Sequence, residues 1–236
     1  MKSSRRYQEI KEKISLNKIY SLDESLLFLK ENNRESSEGI KISFSLNWVN
    51  QKNVLKGRVI LPNSIPQKGN IVVVKDEISK ELIESLKEKT FVKFLSLEEI
   101  EQLINKANKK KKKLDFKKIL SFSGNEKDLK RLEKLMAPLG IFPNKKNGSL
   151  IENNDSEKMI KAISNFELGE REIKTDKGGN IHSLLGTTSF EIDKLKENYR
   201  KLVSEVESLR PAIWKGDFIK GISLSTIMGP GIKTSK

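Results

Sequence analysis

The chain has no cysteine. Disulfide scaffolds, thiolate zinc sites and thiol nucleophiles are thereby excluded. It has one histidine, His182, so no second His or Cys completes a zinc site and no nucleophile stands before it at a recognisable spacing. On a strand beside Ser183, a hydrogen-bonding role is expected of it rather than that of a catalytic base. Apolar runs are short, and none approaches the roughly 20 residues of a membrane helix, so no membrane partner is expected. The opening MKSSRRYQEIKEKI lacks the apolar stretch of a signal peptide and carries Glu9 and Glu12, which argues against a cleaved targeting segment. Alanine is rare while Lys, Asn and Ile abound, the codon usage of an AT-rich genome such as an organelle's. Acids are in deficit: 32 Asp and Glu face 46 Lys and Arg, a net charge of +14 over 236 residues. Such an excess favours a polyanionic partner over a surface kept basic only for solubility.

What is present has an order along the chain. Ser21-Leu-Asp-Glu24 is a capping box that opens a helix with Leu26, Leu27 and Leu29 on its apolar side. KISFSLNW, residues 41–48, alternates strictly, with Ile42, Phe44, Leu46 and Trp48 on one face and Lys41, Ser43, Ser45 and Asn47 on the other. VLKGRVIL, 54–61, reads as its neighbouring strand. After the break LPNSIPQKGN, 61–70, short apolar strands at 71–74, 91–95 and 117–123 alternate with amphipathic helices. The helices carry Ile78, Leu82, Ile83 and Leu86; then Ile100, Leu103, Ile104 and Ala107 after a second capping box at Ser96; then Leu129, Leu132, Leu135 and Met136. Three strand–helix units in succession imply a parallel, doubly wound sheet. A second polar break, NKKNGSLIENND at 144–155, returns the chain to the first style. There a helix with Met159, Ile160, Ile163 and Phe166 precedes strand REIKTD (171–176), the turn Lys177-Gly-Gly-Asn180 and strand IHSLLG (181–186). A long helix from Ile192 to Leu209 and the alternating run at 218–227 complete it.

Neither end alone holds enough strands for a stable sheet, whereas together they hold four or five. The expected fold is α/β. Residues 1–66 and 156–236 form one discontinuous α+β domain with a mainly antiparallel sheet, and residues 67–155 form an inserted Rossmann-like domain. Two linkers restrict motion between them but allow a hinge.

No catalytic constellation emerges, and an enzyme is not expected. The first turn of the insert, VVKDEISKEL, has no glycine and presents Asp76 and Glu77, so it is unfit to cradle phosphate. A nucleotide-binding enzyme built on the insert is therefore the weaker alternative, and no cofactor is expected. The Lys109–Lys113 run fits an RNA-gripping tail or a solvated loop, and alone identifies no site. The sheet shared by the two ends is more informative. Ser43, Ser45, Asn47, Ser223 and Ser225 line its outer face, with Lys174, Asp176 and Lys177 at a strand end and turn. Short hydroxyls admit a close backbone and lysines neutralise phosphate, which suits RNA better than a small apolar ligand. A general basic RNA chaperone is a further alternative; it would show no preference for one RNA structure.

The segment KGDFIKGISLSTIMGPG, 215–231, resembles the closing signature of the bacterial-type large-subunit ribosomal protein one family, the proteins of the mobile ribosomal stalk. RRYQEIKEKI (5–14), VLKGRVILP (54–62), LGIFPNKKNG (139–148) and TDKGGNIHSLLGTTSFEIDKLKEN (175–198) agree with it in order. The resemblance implies a split domain that binds a helical element of large-subunit rRNA, a Rossmann-like insert, and a place on the ribosome of bacterial cytoplasm or of a plastid or mitochondrion. It further implies contacts with other ribosomal components, a part in releasing exit-site tRNA, and repression of the protein's own mRNA. Carried over residue by residue, Lys56, Gly57, Lys174, Asp176, Lys177, Ser225, Thr226, Met228 and Gly229 fall on RNA-contacting positions. This sequence departs from the family in having Ile227 where a threonine is usual and Ser36 or Ser37 where an aromatic often stands. The insert's Gly-Pro-Arg-Gly and Met-Pro-Asn-Pro-Lys motifs are reduced to Ala137-Pro-Leu-Gly140 and Phe142-Pro-Asn-Lys-Lys146, with loss of the arginine.

Overall fold

The computed structural model describes residues 5–15, 18–33, 37–48, 54–64, 69–75, 84, 86, 89–110, 114–145, 148–152, 155–212 and 214–235. The protein is α/β, with antiparallel and parallel sheets. Its contacts divide it into two compact units, Met1–Ile65 with Leu168–Lys236, and Pro66–Glu167. In chain order the first unit begins with α1 (Arg5–Glu12), α2 (Leu22–Glu31), β1 (Gly39–Leu46) and β2 (Lys56–Val59). The second contributes β3 (Asn70–Val74), β4 (Val92–Leu95), α3 (Leu97–Lys110), β5 (Phe116–Phe122), α4 (Glu126–Met136), β6 (Leu150–Ile151) and α5 (Ser156–Glu167). The chain then returns to the first unit with β7 (Arg171–Lys174), β8 (Asn180–Thr187), α6 (Ile192–Ser208), β9 (Ile219–Thr226) and β10 (Ile232–Thr234).

In the first unit a four-stranded antiparallel sheet has the order β10-β9-β1-β8. The alternation of β1 sets its sides: Ile42, Phe44 and Leu46 are buried in the core, and Ser43 and Ser45 are turned the other way. Leu26 and Leu29 of α2 and Leu195, Tyr199, Leu202 and Val206 of α6 cover the apolar side. Both members of the Ser21 capping box are formed, so two orphan amides at the start of α2 are satisfied. Leu27 lies outside the apolar stripe and is exposed.

The strand at 54–61 does not stand beside β1, whose two neighbours are β8 and β9. Its observed part, β2, pairs with β7 in a separate two-stranded sheet. The chain also does not end at the Met-Gly-Pro-Gly break. It turns there and adds β10 to the edge of the sheet. That end is tied down: Tyr20 N–H donates to the Lys233 carbonyl, Ser235 N–H to the Tyr20 carbonyl, and the Tyr199 hydroxyl to the Ser235 carbonyl at 2.8 Å. Burial of the Tyr199 phenol pushes its pKa up to about 12. Buried Asn198 clamps α6 to the rest of the unit by accepting from Asn63 N–H and donating to the carbonyls of Asn63 and Leu185.

The second unit is a parallel sheet of order β4-β3-β5-β6 with helices on both faces. Val72 and Val74 face Ile100, Ile104, Leu132 and Met136. Ile71 and Val73 face Leu86, Met159, Ile163 and Phe166 on the other side. All four residues of 71–74 are buried, as the strand of a doubly covered sheet requires. Two expectations are corrected here. The helix at 156–167, expected with the first unit, buries Met159, Ile163 and Phe166 against β3 and β5 of the second, while Ile160 is exposed. The polar break at 144–155 contains β6, the sheet's fourth strand. Leu103 is exposed on α3, and the helix expected around Ile78, Leu82 and Ile83 lies outside the described residues.

Candidate nucleic-acid interface

The outer face of the four-stranded sheet is built in rows by its register. One row across all four strands reads Lys233, Ser223, Ser43 and His182. The row to one side holds Ser225, Lys41 and Leu184, and the row to the other holds Gly221, Ser45 and Asn180. Ser43, Ser45, Ser223 and Ser225 are all half-buried, and Lys41, Lys233 and His182 are exposed. Short hydroxyls and a glycine keep the middle of this face shallow, and cations stand at its margins.

Beyond the Ser45–Asn180 end lies the turn that joins β7 to β8. Asp176 folds it: its Oδ1 accepts from Gly178 N–H at 2.9 Å and from Asn180 N–H at 2.7 Å, and its backbone N–H donates to the Asn180 carbonyl. Gly179 takes the left-handed conformation that the turn requires. The Asn180 amide, foremost, holds the Asp176 carboxyl below its usual range, assisted by the Asn180 side chain, Gly178 N–H and His182, with partial desolvation opposing. His182 Nε2 lies 3.5 Å from Asp176 Oδ2, and its Nδ1 lies 2.9 Å from Ser43 Oγ. Asp176 is thus a former of the turn, which presents the exposed Lys177. Because its pKa is depressed in the folded state, its stabilisation is present above the unfolded value of about 3.9 and is lost as pH falls through the lower folded value. The Gly178 and Asn180 amide resonances are therefore expected to move together below the ordinary aspartate range. Resonances with no common transition there would contradict this.

The β2–β7 pair flanks the same turn. On its outward side Arg58 stands opposite Glu172, a complementary pair, and Lys56 stands opposite Lys174, a like-charged pair. Like charges directly opposed on a sheet are destabilising. Neither lysine makes an ion pair among the described residues. Gly57 points the other way: a Cβ there would lie 2.8 Å from Leu209 Cδ2, so its smallness serves packing under α6.

The remaining expected residues lie at the opposite end of the sheet. β9 and β1 run from Gly221 opposite Ser45 to Thr226 opposite Ile40, five steps or about 17 Å away. There Met228 is 72% exposed and Ile227 is exposed beside it. Thr226 belongs to the buried row of β9 with Ile222 and Leu224, so its side chain lies on the face away from Ser223 and Ser225. Gly229 closes the turn by donating its N–H to the Thr226 carbonyl. The structure therefore gathers Lys56, Lys174, Asp176 and Lys177 at one end and Ser225, Met228 and Gly229 at the other. It turns Gly57 and Thr226 inward. Lys41, Lys233 and His182 share the outer face but were not among the expected contacts; the alternation of 41–48 and the position of His182 beside the Lys177 turn were the available signals. Among the described residues there is no cluster of His, Asp or Glu fit for a metal, and no helix is long and apolar enough to cross a membrane.

The comparisons agree on the family. Residues 6–230 match the model of the ribosomal protein L1p/L10e family. The chain is 31% identical to a protein of Mycoplasma capricolum subsp. capricolum over 235 residues, 98% of each chain. It is 32% identical to one of Fervidobacterium nodosum, covering 98% of this chain and 94% of that one, and 32% identical to one of Thermosipho melanesiensis, covering 99% and 97%. Each of these is named large ribosomal subunit protein uL1. With the match running through both units and across the hydroxyl-lined sheet, the chain belongs to the ribosomal protein L1p/L10e family.

Proposed function

We propose that this protein is a structural, non-catalytic constituent of the large ribosomal subunit that binds rRNA on the outer face of its first unit. The observation that carries the site is the opposed pair Lys56 and Lys174 beside Lys177 and the shallow hydroxyl face. A like-charged pair with no counter-ion among the described residues weakens the sheet it sits on, and a phosphate backbone supplies the missing charge. Lys41 and Lys233 extend the cationic margin, and Ser43, Ser45, Ser223 and Ser225 suit sugar and phosphate oxygens. Met228 and Gly229 give the far end an apolar contact for ribose or base faces. The finer reading takes in exit-site tRNA as a transient partner and the protein's own mRNA as a second RNA of similar shape. The relatives named above are bacterial, which favours a bacterial ribosome over an organellar one.

The test is filter binding of the full chain to large-subunit rRNA fragments over a series of salt concentrations. Lys174→Ala and Lys177→Ala are each expected to flatten the dependence of log affinity on log salt by about one ion, ~0.7–0.9 in slope. Lys56→Gln is expected to weaken binding while raising thermal stability by about 0.2–1 kcal/mol, because the like-charged opposition disappears. An unchanged slope in both alanine variants would remove these lysines from the interface. Equal affinity for unrelated RNAs of the same length would favour the general chaperone.

A further inference from the structure

We infer that Glu38 is a positioning residue for the Met228–Gly229 turn, holding that turn in the shape in which it meets RNA. The inference rests on the reading of this turn as an RNA contact. Glu38 precedes β1 and is only 9% exposed. Its backbone is fixed on both sides: its N–H donates to Thr188 Oγ1 at 3.0 Å, and its carbonyl accepts Thr188 N–H at 2.8 Å. The carboxylate is therefore delivered from a rigid base. Its Oε1 accepts the Met228 N–H at 3.1 Å, and its Oε2 lies 4.0 Å from the Arg6 guanidinium, which also donates to the Asn32 carbonyl at 2.8 Å.

The turn needs such a support. Met228 is the most exposed of the large apolar residues among those described and gains little from burial. Among the described residues the backbone of the turn is held by three bonds: Ile227 N–H to the Gly39 carbonyl, Gly229 N–H to the Thr226 carbonyl, and Met228 N–H to Glu38. The last is the one that fixes the peptide at the tip. Charge argues in the same direction. A carboxylate near a polyanion opposes binding, so on long-range electrostatics alone its removal would tighten RNA. A positioning role predicts the reverse sign when its acceptor is lost.

The experiment compares Glu38→Gln with Glu38→Met in the full chain. Both remove the same charge and both have nearly the length of glutamate, but only the glutamine retains an oxygen to accept Met228 N–H. Affinity for large-subunit rRNA is measured well below the melting temperature of each variant, together with amide hydrogen exchange at Met228 and the affinity of Met228→Ala. The Met variant is expected to bind about tenfold more weakly than the Gln variant and to show faster exchange at Met228. A purely structural role would move the two melting temperatures and leave the two affinities equal, and equal affinities overturn the inference. If Met228→Ala binds weakly while the Glu38 variants match each other, the inference fails and the reading of the turn stands. If Met228→Ala binds as the native chain does, the turn is not a contact, and both fail.

Discussion

The Gly229→Val variant is expected to lose rRNA affinity by ~100-fold, about 3 kcal/mol. A Cβ at this position would lie 2.4 Å from Thr226 Oγ1, closer than real contacts of that kind come. Thr226 is 5% exposed in the core-facing row of β9, where its hydroxyl has little room to retreat. The added side chain must therefore open the Gly229–Thr226 hydrogen bond and displace Met228 with it. A second cause works in the same direction, namely close approach of an RNA backbone to a residue with no side chain. The pair Gly229→Ala and Thr226→Ala separates them. If internal crowding dominates, Gly229→Ala binds weakly and the double variant recovers, since the offending oxygen has gone. If RNA approach dominates, the double variant remains weak. Filter binding and the coupling energy of the cycle decide between them. A Gly229→Val variant that binds normally would show that neither constraint operates.

Glycine 229 also illustrates what was legible in the sequence. Alternation told which side of β1 faces the core, because the side-chain period of a strand fixes its two faces. Ile42, Phe44 and Leu46 are buried as that pattern dictates, and the serines between them are on the outer face. Alternation does not name a neighbour: closeness in sequence suggests that the strand at 54–61 lies beside β1, but its partner is β7. β10 has three residues, too few to show a period. The helix at 156–167 has a clear apolar stripe, but a stripe does not say which of two cores it joins. Its nearness to β7 in the sequence pointed to the first unit, and packing gave it to the second. The buried polar residues were the least legible. Glu38 and Asn198 have ordinary surface-residue identities, and only the backbone groups that the fold brings to them explain their burial. Gly57 is a contact position through the resemblance alone; only the folded chain shows that its missing side chain makes room for Leu209.

The boundary at α5 decides how a minimal RNA-binding protein is cut. Excision of Pro66–Glu167, with Ile65 joined to Leu168 through a short flexible linker, removes one complete unit and leaves the other with its core of β1, β8, β9, α2 and α6 intact. Such a protein is expected to melt cooperatively and to bind large-subunit rRNA within about threefold of the full chain, ~0.7 kcal/mol. Excision of residues 68–150 instead retains α5 without β3 and β5. Met159, Ile163 and Phe166 then lose the surface that buries them, at about 1.5–3 kcal/mol for each side chain returned to water. That shorter excision is expected to leave 156–167 unfolded or self-associating, visible as a loss of helical circular dichroism or as concentration-dependent sedimentation. The contrast isolates the place of binding from the integrity of the fold. The opposed lysines, the Asp176 turn, the hydroxyl rows and the Met228 turn all lie in the unit that the longer excision retains. A cooperatively folded product of that excision that fails to bind would locate an indispensable RNA contact in the parallel-sheet unit, and the assignment of the interface to the first unit would fall.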